Sequence, residues 1–134
     1  MIQTLFGSSV DLPSLILRLA IGTVFIIHGY PKLTATQRKQ GGAWMKSVGM
    51  TPAIVPFGGF VEFFGGMALI LGLLTPIVAV LAALWMLSTT WFSISKVKKK
   101  YAGGLEIDIT LFLAALALAL LGSGIFSIDR LLGL

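Results

Sequence analysis

The sequence predicts an all-α protein, a four-helix transmembrane bundle with a short interfacial segment between helices 1 and 2. Three observations lead there. Hydrophobic residues fill 57% of the 134 positions and charged residues only 11%, with a mean hydropathy of +0.99. A soluble domain carries about 25% charged residues, so this chain cannot cover its surface with polar groups. Four apolar runs, at about 12–33, 52–74, 76–95 and 103–121, each approach the roughly 20 residues that a helix needs to cross a bilayer. They are too long and too continuously apolar for barrel strands, and lipid permits no other spanning backbone. The length allows a single integral membrane domain over residues 1–134, with no room for a separate soluble module.

The opening stretch, MIQTLFGSSVDLPS, has no basic region and no small-residue cleavage site ahead of the apolar run, so the first helix is expected to be retained. The second and third runs are joined by little more than Leu74, Thr75 and Pro76. Pro76 suits the first turn of the following helix, where no amide donor is needed, and so short a link predicts an antiparallel hairpin. The longer connection 34–51 holds Trp44 and Met45 beside Lys46, the composition of a segment lying at the membrane interface. Small residues at four-residue spacing (Ala68 and Gly72, Ala79 and Ala83, Ala115 and Ala119), with Gly58, Gly59, Gly65 and Gly66 around Glu62, suit close helix approach in lipid.

The charges set an expected topology. Lys32, Arg38, Lys39 and Lys46 belong to the first connection and Lys96, Lys98, Lys99 and Lys100 to the third, while the only basic residue of the tails is Arg130. This asymmetry predicts a multi-pass protein of the cell membrane with loops 34–51 and 96–102 cytoplasmic and both termini outside. The basic clusters lack interleaved aromatics and fit anionic lipid headgroups or an acidic soluble partner, not nucleic acid. There are no cysteines, which excludes disulfides, thiolate metal sites and a thiol nucleophile. With one histidine besides, neither haem nor a metal is expected.

Five ionisable residues fall inside the spans: Arg18, His28, Glu62, Glu106 and Asp108. Each unpaired charge at the bilayer centre costs roughly 2.5–3.5 kcal/mol on insertion scales, so they are expected to face one another or water. At about 1.5 Å per residue, counted from the basic side, His28 shares a level with the acids of helix 4, Glu62 lies near the midplane and Arg18 lies deeper. The expectation is a polar column running Lys32, His28 with Glu106, Glu62, Arg18. Glu106 and Asp108 stand about 200° apart on a helix; Glu106, with Thr110 on its face, is expected to point inward and Asp108 outward. Two readings of the column remain. In one, Arg18 and Glu62 form a buried pair that fixes helix register. In the other, His28, Glu62 and Glu106 do chemistry, with Arg18, His28, Lys32 and Glu62 holding a ligand. Histidine is the side chain that titrates near neutral pH.

LILRLAIGTVFIIHGYPKL, GAWMKSVGM, VEFFGGMALILGLLTP, GGLE and GSGIFSID, in this order over four spans, resemble the DoxX family of small bacterial and archaeal membrane proteins. The matched positions include Arg18, Gly22, His28, Gly29, Lys32, Leu33, Glu62, Gly65, Gly66, Gly103, Gly104, Glu106, Ser127 and Asp129. The resemblance implies a four-helix membrane fold and a link to quinone-dependent sulfur oxidation or to redox-stress complexes. Lacking cysteine, this chain offers no thiol to carry a sulfur intermediate. The implied function is a membrane subunit of a quinone-linked oxidoreductase, with quinone as cofactor and a soluble redox partner at the basic loops. A non-catalytic scaffold recruiting a soluble protein and a small-molecule or proton carrier are the alternatives. A homo-oligomer or a place in a larger complex is expected.

Overall fold

The structure, a computed structural model, describes residues 10–134. Residues 1–9, on which the retained N-terminus reading partly rests, lie outside the described residues. Four helices carry the bundle: α1 (Asp11–Lys32), α3 (Ile54–Leu71), α4 (Thr75–Phe92) and α5 (Glu106–Leu121). Two shorter ones complete it, α2 (Ala35–Ser47) between the first two spans and α6 (Ile128–Leu132) at the end. α4 continues through one wider turn to Val97, and an irregular turn over Tyr101–Leu105 leads into α5. The four long helical segments are long and apolar enough to cross a membrane, so the expected all-α, four-span architecture is present, with α2 in the place of the interfacial segment.

The bundle is built from two tightly packed pairs, α1 with α3 and α4 with α5; the sequential neighbours α3 and α4 touch far less. The first pair is closed by glycine. A Cβ on Gly22 would lie 2.7 Å from the Gly66 carbonyl oxygen, and one on Gly66 would lie 2.7 Å from the Gly22 carbonyl oxygen. One helical stretch nearer the basic end, a Cβ on Gly59 would lie 3.1 Å from the Gly29 carbonyl oxygen. Small residues permit this backbone approach, which is what holds helices together in lipid. The seven-residue spacing on both helices sets a single antiparallel register. The second pair meets through Ala79, Ala82, Ala83 and Met86 of α4 with Ala115 and Leu118 of α5, and Ile21, Phe25 and Leu69 join this core from the first pair.

At the end far from the basic connections, the C-terminal segment ties the helices together. Ser14 donates to the Gly122 carbonyl (2.5 Å), and Asp11 accepts from the Ile125 amide (2.9 Å). The Asp129 carboxylate accepts from the amides of Leu74 (2.5 Å) and Thr75 (2.8 Å), while the Asp129 amide donates to the Gly72 carbonyl (2.9 Å). Leu74 precedes α4 in a left-handed conformation and Pro76 opens the helix, so Asp129 supplies the N-terminal cap that the local sequence lacks.

Candidate functional site

A cavity of about 520 Å³ opens between the two helix pairs at the end bearing the basic connections. Its size is that of a small-molecule site. α1 supplies His28 and Lys32, α3 supplies Glu62, α4 supplies Trp85 and Ser93, and α5 supplies Asp108. α2 closes the end with Trp44 and Met45, and Trp44 meets Phe92 edge-on at 5.9 Å between ring centroids.

Glu62 is the centre of the polar part. It is 6% exposed, and each carboxylate oxygen is bonded. Lys32 Nζ donates to Oε1 (2.8 Å) and Oε2 (2.7 Å), and the Trp85 indole N–H donates to Oε1 (3.0 Å). Buried carboxylates persist only when paired and hydrogen-bonded, and this one is both. The register explains the partner. Gly29 packs on Glu62 and Gly59 on Lys32, so the two charged residues sit one turn apart along the glycine seam.

That geometry corrects the expected column at two places. Arg18 does not pair with Glu62. It lies 11 residues from Gly29, about 16 Å along α1, and is fully buried at the other end of the seam. There its guanidinium donates to the Phe126 carbonyl, against Gly72, so it lies away from the cavity that was expected to include it. Glu106 also lies outside the cavity lining. It is exposed in the first turn of α5 and accepts from the Gly103 amide (2.8 Å), a local bond at a helix N-terminus. Asp108, on the opposite side of the helix, lines the cavity and accepts from the Ser93 hydroxyl (3.1 Å). The inward acid of α5 is therefore Asp108. Placing Glu106 inward relied on Thr110 sharing its face, but Thr110 is exposed too.

His28, Lys32 and Glu62 do line one cavity, with the His28 ring on its exposed side. Among the described residues no three of His, Cys, Asp and Glu come together as metal ligands would. Sequence reasoning missed Trp85 and Ser93. Trp85 left a signal, since an indole N–H within a span needs an acceptor. Ser93 left none before its helix register was known. All three tryptophans of the chain, Trp44, Trp85 and Trp91, line this cavity, as do Met45, Met50 and Met86. The result is a polarizable wall around a small charged centre.

The family model described as DoxX matches residues 14–94, a stretch that includes His28, Lys32, Glu62 and Trp85. "Putative oxidoreductase CatD" of Bacillus subtilis (strain 168) is 31% identical over 124 residues, covering 92% of this chain and 89% of that protein. "Inner membrane protein YqjF" of Escherichia coli (strain K12) is 31% identical over 127 residues, covering 91% of this chain and 93% of that protein. No solved structure matches the chain significantly.

Proposed function

Because the chain belongs to the DoxX family of membrane proteins, we propose that it is a membrane subunit of a redox complex whose cavity receives a quinone head group. One observation carries the reading. A single cavity brings the Lys32–Glu62 pair, His28 and Asp108 together with every indole of the chain. The similarity to a protein named as an oxidoreductase is in keeping with it.

The residues suit a flat ring with two oxygens. Lys32 has three N–H donors, two of them directed at Glu62, and its side chain, which lines the cavity, remains 36% exposed. His28 adds a ring nitrogen, and Trp85 and Trp91 add aromatic faces. A quinone, when bound, supplies a two-electron, two-proton couple. The chain's part is to hold the ring and handle protons. Asp108 stands on the basic side of Glu62, bonded to Ser93 eight residues beyond the Trp85 that bonds Glu62, while His28, next to the Gly29 that packs on Glu62, lies at the level of that carboxylate; an imidazole passes protons readily near neutral pH. Glu62 keeps Lys32 and Trp85 oriented. In this reading electrons arrive from a soluble partner that docks on the exposed lysines 96 and 98–100, with both basic connections cytoplasmic and both termini outside. Those same lysines favour a second reading, a scaffold that recruits an acidic partner without touching electrons.

The test uses the chain purified with whatever partner remains bound. Reduction of a short-chain quinone by that complex is expected to fall about 100-fold in His28→Ala, the low end for loss of an acid–base group, with thermal stability unchanged. Equal activity in the variant would remove His28 from the mechanism. Quinone binding that is absent from the wild type, with a partner still recruited, would leave the scaffold reading.

A further inference from the structure

A second, apolar groove of about 250 Å³ lies where α3 and α4 pack loosely. Its walls are small at the centre, Gly65 and Ala68 on α3 facing Ala82 on α4, and Phe60, Phe64 and Leu81 form an exposed rim. A Cβ on Gly65 would meet only the Phe25 ring, at 4.0 Å, whereas one on the adjacent Gly66 would strike the α1 backbone. The space beside Gly65 is therefore not used for helix contact. Phe25 is 2% exposed and lines both this groove and the polar cavity, so one ring forms their common wall.

We infer that the groove is the tail subsite of the ligand whose head occupies the cavity, and that this ligand carries a long apolar chain and enters sideways from the bilayer. The inference rests on the reading of the cavity as a head-group site and adds the substrate class, a membrane-dissolved amphiphile and not a water-soluble ring. Three features support it. The groove meets the cavity at a shared side chain. Ala68 lies six residues beyond Glu62, about 9 Å farther along α3, so a chain leaving the charged end runs on toward the bilayer interior. Its rim opens to the surface that the spans present to lipid, between the loosely packed α3 and α4, so a tail leaving the head site has to pass the Phe25 ring and the Glu62–Trp85 hydrogen bond and no tightly packed helix pair.

The experiment uses the full chain in lipid nanodiscs and two probes, dimethoxy-methyl-benzoquinone with and without a decyl tail. Because all three tryptophans line the head cavity, quenching of intrinsic tryptophan fluorescence reports occupancy directly. Gly65→Leu and Ala68→Leu each fill the groove from α3. Each variant is expected to weaken the decyl probe by about tenfold and leave the tail-less probe unchanged, with a melting temperature close to wild type. Partition of the tailed probe into the bilayer is the same for variant and wild type and cancels. Decyl-probe affinity unchanged in both variants overturns the inference and assigns the groove to bulk lipid. Equal weakening of both probes also overturns it, because the substitutions would then act on the head site. A tail-less probe that fails to bind the wild type counts against the cavity reading itself, and the tail subsite falls with it.

Discussion

Glu62 is held by bonds that cannot be removed singly without consequence. Lys32→Met would leave a carboxylate 6% exposed with only the Trp85 indole beside it. The loss is expected to be about 3 kcal/mol, the low end for a broken buried pair, because Lys32 itself is one-third exposed. The double variant Lys32→Met with Glu62→Gln, which removes the stranded charge, is expected to recover most of it; denaturation in detergent reads both. No recovery would mean that Lys32 acts through packing on Gly59, not through Glu62. At this scale the sequence was half legible. The cost of charge in lipid identified which residues had to find partners, yet the partners themselves depended on register. Glu62 took Lys32, whose flexible stem reaches back from the helix end, and Arg18 took a backbone carbonyl from the C-terminal segment. Asp108 and Glu106 exchanged their expected places although both lie in the first helical turn: Glu106 is held by the Gly103 amide just ahead of the helix and Asp108 by the Ser93 hydroxyl across the cavity, partners that periodicity does not register.

Among elements, the glycine seam of α1 and α3 matters most. Gly65 and Gly66 are neighbours in sequence but answer to different constraints. Gly66→Ala places a methyl 2.7 Å from the Gly22 carbonyl and is expected to separate the helices and lower the melting temperature sharply. Gly65→Ala meets only ordinary contact with Phe25 and is expected to be tolerated or slightly stabilising, since alanine is the better helix former by about 1 kcal/mol. Equal effects at the two positions would argue against the seam. The cap on α4 gives a second case. Asp129→Ala removes the acceptor for two amides and is expected to cost about 1–2 kcal/mol, the upper part of the range for cap deletions, measurable in the same melt. The spans were legible from apolar length alone, and the small residues signalled close packing: four-residue spacing found the contact of α4 with α5, where Ala79 and Ala83 meet Ala115 with Ala119 beside it, but not that of α1 with α3. The contacts use glycines seven apart on each helix, an interval visible only once Gly22, Gly29, Gly59 and Gly66 are read as one antiparallel set.

For the whole molecule, the basic connections on one side predict the orientation, and the cysteine-free chain makes it simple to test. A single cysteine at Lys98 is expected to resist membrane-impermeant maleimide in intact cells and react after permeabilisation. One at Leu131, which is exposed on α6, is expected to react in both. The opposite pattern would invert the topology and put the cavity on the outer side. The bundle as a whole was legible because lipid leaves a hydrophobic chain so few options. The division into two pairs with a cavity between them was not, because it arises from where α3 and α4 fail to pack, and sequence patterns record contact more readily than its absence.

The bond from Arg18 to the Phe126 carbonyl joins residues 108 positions apart. At about 5–20 residues per second, a ribosome needs roughly 5–20 s to travel from one to the other. The guanidinium thus enters the nascent helix well before its acceptor exists, and during that interval it must be sheltered by water, headgroups or the insertion machinery. Completion of this protein is accordingly governed late, by arrival of a short polar segment that allows an already embedded cation to settle.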